Sequence, residues 1–198
     1  GLEPSKSGVI GLLCAALGRA RCEPVADLAA LPMGVRVDRE GSLKRDYHTA
    51  LDVVRADGTG AGTVVSQRYY LADADFLVGL EGELELLGRL AEALSHPQWP
   101  LYLGRKSFPP GEPVLLPNGE SLQQDSDVRT ALSRYPWRKR RGAEQPPDRL
   151  RLVLETRSGD GEPRHDVPVC FAERRFAVRY VCTEWTETPV AEAPVSEG

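Results

Sequence analysis

Residues 41–62 follow neither a helical nor a strand period, yet strand-like segments flank them, Met33–Asp38 before and Thr63–Leu71 after. A stretch that long without regular structure is uncommon in a compact domain, where such segments are either functional or disordered. Any fold for this chain must accommodate the excursion. Upstream of it, PSKSGVIGLLCAALGR reads as a helix. Ser5 or Ser7 caps its start, apolar residues recur through Val9, Leu12, Leu13, Ala16 and Leu17, and Gly18 ends it in the left-handed region. Gly8 and Gly11 lower helix propensity, which points to close packing against a neighbour. One further helical turn is expected over Asp27–Leu31.

After the excursion come a strand at Phe76–Leu80 and a helix at Glu83–Ser95, with Leu84, Leu87, Leu90, Ala91 and Leu94 on one side and His96-Pro97 at its end. Leu101–Arg105 is strand-like, and Phe108–Gly119 is rich in Pro and Gly. This order resembles a βαββαβ ferredoxin-like unit that lacks its first strand. A second part follows: a short helix over Leu122–Ser133, a basic loop from Arg134 to Pro147, and strands at Arg149–Glu155 and Arg175–Trp185, with a turn signal at Ser158–Gly161 between them. The expected class is therefore α+β. A ferredoxin-like (RRM-like) domain occupies residues 1–120 and carries a β-hairpin thumb at about 41–68. A small β-rich C-terminal part occupies 121–185, and an acidic flexible tail 186–198.

The net charge of -4 resides wholly in the segment from Thr183, which holds Glu184, Glu187, Glu192 and Glu197 and no base. The body is neutral, so the placement of its cations matters more than their sum. Arginine supplies nearly all of them, and its planar fork suits phosphate and stacks on bases. Cys14, Cys22, Cys170 and Cys182 form no CxxC pair, and the histidines are scattered; no metal site is assembled by spacing and no cofactor is expected. No apolar run approaches the roughly 18 residues of a membrane span. A reduced, cytoplasmic setting without membrane attachment fits best.

Four clusters can carry chemistry. Lys6-Ser7-Gly8 at the start of the first helix suits a phosphate, although a capped surface helix is the plainer explanation. Lys44, Arg45, Tyr47 and His48 together with Gln67 and Arg68 flank the glycine-containing tip at Gly58–Gly62. Paired as an extended hairpin, they alternate cations and rings in the manner of a single-stranded RNA site. Lys44, Tyr47 and His48 can equally serve as acid-base groups for metal-free RNA cleavage, and a mobile solvated loop is the bland alternative. Arg105, Lys106 and Ser107 follow Gly104 at a strand end, where phosphate is readily gripped. The loop Arg134–Arg141 adds five cations with Tyr135 and Trp137. Nucleotide-loop, serine-elbow and HExxH motifs are all missing.

Taken together, PSKSGVIGLLCAALGR, LKRDYHT, TVVSQRYYLADADFLVGLEG and PLYLGRKSFPPGEPV resemble the Cas-five-type subunits of type I-E CRISPR Cascade complexes, in the RAMP superfamily; VPVCFAERRFAVRYV resembles that family's last strands. The resemblance runs over about residues 3–185. It implies a non-catalytic, RNA-binding subunit that holds the 5′ handle of the CRISPR RNA. The implied partners are the repeated CasC backbone subunit and the large CasA subunit, and target DNA is met through the assembled complex. On this pattern Lys6 and Ser7 lie near the handle, Arg105, Lys106 and Ser107 grip it, and Lys44–Thr49 with Gln67-Arg68 bracket the thumb. The Arg134–Arg141 loop matches no motif of the family. Family members open with a strand and a polar segment before the first helix, so a leading segment is expected ahead of Gly1. Two alternatives stand beside this reading: a metal-independent CRISPR RNA-processing endoribonuclease of the type I-C kind, and a protein-interaction module without RNA binding.

Overall fold

A computed structural model describes residues 2–104, 106–117, 119–140, 144–157 and 159–190. The chain divides into two compact units, one of residues 38–75 together with Leu2 and one of the remainder. In the larger unit the elements run α1 (Lys6–Leu17), α2 (Ala26–Ala29), β1 (Met33–Arg39), then β4 (Asp75–Leu80), α3 (Leu84–Ser95), α4 (Val128–Arg134), β5 (Arg149–Thr156), β6 (Glu162–Cys170) and β7 (Arg175–Glu187); the smaller unit is β2 (Ser42–Val54) and β3 (Ala61–Ala72). The α+β class holds.

α1 forms where its sequence punctuation predicts. The Ser5 hydroxyl accepts from the Gly8 amide at 3.1 Å. At the other end Gly18 takes φ 73° and the Arg19 amide reaches back to the Cys14 carbonyl at 2.8 Å. The predicted close approach is real at Gly8, where a β-carbon would sit 3.2 Å from Leu103 Cδ1. Val9, Ile10, Leu13 and Cys14 of α1 pack with Leu28, Leu31, Leu90, Met33 and Val35 into the main core, which Phe76, Val78 and Leu80 of β4 extend. Burial pushes the Cys14 thiol up from its ordinary pKa, as expected of a packing thiol.

One five-stranded sheet has the order β4-β1-β5-β7-β6, with β5 antiparallel to both β1 and β7, and β7 antiparallel to β6. Its strands come from both sides of residue 120, where a second part was expected to begin. β5 alternates as predicted: Leu152 and Leu154 meet Leu132 in a second, smaller core, with Leu77, Val128 and Cys182 against it. α4 sits so close there that a β-carbon on Gly34 would fall 2.5 Å from Val128 Cγ1 and 2.8 Å from Leu132 Cδ1. Buried Arg36 donates to the Leu132 carbonyl at 2.6 Å and also to that of Tyr135, neutralising the acceptor-rich C-terminal end of α4.

Several expectations change. Leu101–Gly104 join no strand ladder: Leu103 is held over Gly8 and Gly104 turns left-handed at φ 84°. The helix expected from Leu122 begins only at Val128, because Asp125 takes φ 54° and Asp127 provides the cap, accepting from the Thr130 amide at 2.6 Å. β6 was hidden by Pro163 and Pro168 and by two register shifts that break its alternation. The start of the expected tail is paired: β7 runs to Glu187, and Thr188 and Pro189 hydrogen-bond to Asp148 and Trp137. Residues 191–198 lie outside the described residues.

Candidate nucleic-acid interface

The excursion at 41–62 is half of a long hairpin. β2 pairs antiparallel with β3 from Ser42↔Ala72 to Ala50↔Val64, and after a register shift from Val53↔Gly62 to Val54↔Ala61. The shift is a bulge at Leu51-Asp52, with Asp52 at φ 55°. At the tip the Arg55 amide donates to the Gly60 carbonyl at 2.9 Å, and Asp57 accepts from the Thr59 amide at 3.0 Å and its hydroxyl at 2.8 Å. Those bonds hold the Asp57 carboxyl below its ordinary pKa. At the base Arg39 and Asp75 pair at 2.7 Å. The hairpin has no alternation of burial because both of its faces are largely exposed.

Register sorts the predicted residues onto two faces, since partners across a ladder share a face and successive residues alternate. One face carries Leu43, Arg45, Tyr47 and Thr49 opposite Leu71, Tyr69, Gln67 and Val65. Tyr47 is 67% exposed and Tyr69, not among the candidate residues named from the sequence, is 59% exposed; Arg45 lies opposite Tyr69 and its guanidinium donates to Gln67 Oε1 at 3.4 Å. The other face carries Lys44, Asp46 and His48 opposite Tyr70, Arg68 and Ser66. Rings and an arginine dominate the first face; Lys44, Arg68 and His48 dominate the second.

In the larger unit, the cluster at the start of α1 is rearranged relative to expectation. Lys6 is 3% exposed and its ammonium is bound by both oxygens of Glu155, at 2.8 and 3.0 Å. Glu155 also accepts from the Met33 amide at 2.7 Å. The first-turn amide of Lys6 donates to Asp166 at 2.7 Å, and Arg179 grips the same carboxylate at 2.7 and 3.0 Å. Burial alone would raise the Asp166 pKa; the bonds from Arg179 and the Lys6 amide outweigh it and hold the carboxyl below its ordinary value. The helix N-terminus thus already holds an anion supplied by the chain, and Lys6 is committed to Glu155 instead of a phosphate. This corrects the expectation for Lys6. Ser7 remains half-exposed, with its hydroxyl 3.3 Å from that of Ser5.

Leu103 lies against Gly8 of α1, and further along the chain Lys106 and Ser107 are exposed. Arg105, singled out from the sequence, lies outside the described residues. The loop from Arg134 is less open than its charge suggests: Arg138 pairs with Glu120 at 2.8 Å and Arg140 with Glu112 at 2.8 Å, while Arg141 lies outside the described residues. Among the described residues no cluster of His, Cys, Asp and Glu could hold a metal, and no helix is long and apolar enough to cross a membrane.

A family model described as CRISPR-associated protein (Cas_Cas5) matches residues 1–182. The CRISPR system Cascade subunit CasD of Escherichia coli (strain K12) is 35% identical over 153 residues, 68% of this chain and 66% of that one, so the match spans just under two thirds of the relative's length. Among solved structures, a crystal structure of a Cas protein is 45% identical with a TM-score of 0.76, covering 96% of this chain and 86% of its own. A chain of a CRISPR RNA-guided surveillance complex is 32% identical with a TM-score of 0.76, covering 98% and 85%.

Proposed function

The chain belongs to the Cas_Cas5 family of CRISPR-associated proteins, and from that premise we propose that it is a non-catalytic subunit of a type I-E Cascade surveillance complex, acting in the cytoplasm in antiviral defence. It binds the 5′ handle of the CRISPR RNA and contacts the CasC backbone and the large CasA subunit; target DNA is engaged only through the assembly. In this reading α1, β1, β4 and α3 belong to a ferredoxin-like (RRM-like) domain, and the β2–β3 hairpin is its thumb.

The observation that carries the proposal is the ring-bearing face of the hairpin. Arg45, Tyr47, Gln67 and Tyr69 stand together in solvent, where an isolated two-stranded sheet gains little of its own stability from them. Two exposed rings flanking a guanidinium match the needs of single-stranded RNA: rings stack on bases and the cation holds a phosphate. Lys44, His48 and Arg68 on the opposite face suit backbone contacts or a neighbouring subunit. Ser7, Lys106 and Ser107 form a second, smaller contact, to which Arg105 is joined by the family motif alone.

The endoribonuclease alternative would require Lys44, Tyr47 and His48 to converge on one phosphodiester. The register instead sets Tyr47 on the face opposite Lys44 and His48. Incubation with repeat RNA without metal should leave the RNA intact; a specific cut that His48→Ala abolishes would reverse the assignment. Co-expression with the other Cascade subunits and a CRISPR array tests the leading reading. RNA should co-purify, retention should fall steeply with salt, and Arg105→Ala should lower RNA content or assembly. A complex that forms without RNA, or a salt-independent association, would favour the interaction module instead.

A further inference from the structure

Neither the hairpin nor the α1 end uses the loop that begins at Arg134. Its residues Tyr135, Pro136, Trp137 and Arg138, with Glu120, Leu122 and Gln123, line an open pocket of about 480 Å³. The wall is rigid. Tyr135 and Trp137 are each 8% exposed, the Tyr135 hydroxyl donates to Glu120 Oε2 at 2.7 Å, and the Trp137 amide donates to the Pro189 carbonyl at 2.7 Å. Arg138 lies over the Tyr135 ring at 5.4 Å while its Nη2 donates to the same Glu120 oxygen at 2.8 Å. A guanidinium placed over a ring and bonded at its edge to a carboxylate, with its side chain still 45% exposed, offers surface on which a planar group can stack. The bonds from Tyr135 and Arg138 to Glu120 both end on Oε2, so Oε1 takes neither of them.

This combination disfavours a phosphate, because the carboxylate repels it, and disfavours a cationic side chain, because Arg138 repels that. It favours a neutral planar group bearing hydrogen-bond donors. We infer that the pocket takes one unpaired nucleobase of the bound RNA, stacked on Arg138 and read along its edge by Glu120, with guanine the best match. Guanine presents two adjacent donors, N1–H and the 2-amino group, to the Oε1 side of Glu120, whereas uracil offers one ring N–H between two carbonyls. The inference rests on the RNA-binding reading and adds a base-selective site to it.

The full chain is titrated with GMP, IMP and UMP by calorimetry, with thermal melting as a check that each variant folds. GMP should bind more tightly than UMP, with IMP, which lacks the 2-amino group, between them. Arg138→Ala should weaken all three by about tenfold, the size of one lost stacking partner. Glu120→Gln should remove the preference for GMP while keeping the stacking. Equal binding of GMP and UMP, or a preference that survives Glu120→Gln in a folded variant, would overturn the assignment. The two readings separate cleanly. Salt-dependent retention of CRISPR RNA without nucleotide preference sinks the pocket alone; preference for GMP without RNA retention sinks the handle-binding reading alone.

Discussion

The two units of this chain treat charge and apolar surface in opposite ways. In the larger one Lys6, Arg36 and Arg179 are buried, each answered by carboxylates or carbonyls, and the apolar residues close into two cores. In the hairpin Tyr47, Leu51, Val54 and Tyr69 are mostly exposed, and no core residue comes from β2 or β3. The larger unit satisfies its chemistry internally; the hairpin leaves its chemistry for something outside the chain. Residues that look alike in sequence, such as Lys6 and Lys44, therefore belong to different kinds of argument: Lys6 concerns stability and Lys44 concerns binding.

The largest stability effect should come from separating Lys6 from Glu155. Lys6→Met keeps the volume but leaves a half-buried carboxylate without its cation, and breaking such a pair costs about 3 kcal/mol. Urea unfolding should show the loss. If the variant instead kept its midpoint and lost RNA, Lys6 would be a phosphate ligand after all and the division between the units would fail. Next in size is Gly34→Ala, whose added methyl would meet Val128, Leu132 and Leu154 at 2.5–2.8 Å. Overpacking of this kind costs about 1–3 kcal/mol, and a matching change at the open Gly58 of the hairpin tip has no neighbour within 4 Å to strike, although its φ of 73° still penalises a side chain.

Much of the larger unit was legible because its signals are local. Caps and spacing marked α1 and α3; alternation marked β1, β5 and β7. What escaped depended on distant partners or broken periods. The inward turn of Lys6 is set by Glu155 and Asp166, 149 and 160 residues away, and no local pattern encodes it. β2 has no burial alternation to detect, since both of its faces meet solvent. Prolines and bulges concealed β6. In the candidate site, the residue types around the excursion pointed to RNA, but only the register could show that Tyr69 and Gln67 share a face with Arg45 and Tyr47.

A pH dependence sharpens the comparison at smaller scale. The Asp166 carboxyl is held below its ordinary pKa in the folded chain, so it binds a proton more readily when unfolded. Its contribution to stability is full above the unfolded pKa and is lost as the pH falls through the lower, folded value. Asp166→Asn should therefore be less stable than the parent at neutral pH, and the difference should shrink as acid is added below the usual carboxylate range. Urea midpoints at several pH values test this. A difference that stayed constant with pH would mean that the carboxylate charge is not what Arg179 and the α1 amide recognise.

The smallest stability effect belongs to the residue with the largest expected role in binding. Tyr47 is exposed on a sheet with one partner strand, so Tyr47→Ala should shift folding stability by no more than about 0.5 kcal/mol, the range of ordinary surface substitutions. The same change removes a ring available to a base, and RNA retention should fall by about tenfold. Tyr47→Phe should restore most of it, because stacking needs the ring and not the hydroxyl. His48→Ala on the opposite face should leave that stacking contribution in place, so the two variants test the faces separately. A melting point that dropped sharply in Tyr47→Ala would show that the hairpin depends on its own side chains as the larger unit does, and the contrast between the units would lose its functional meaning.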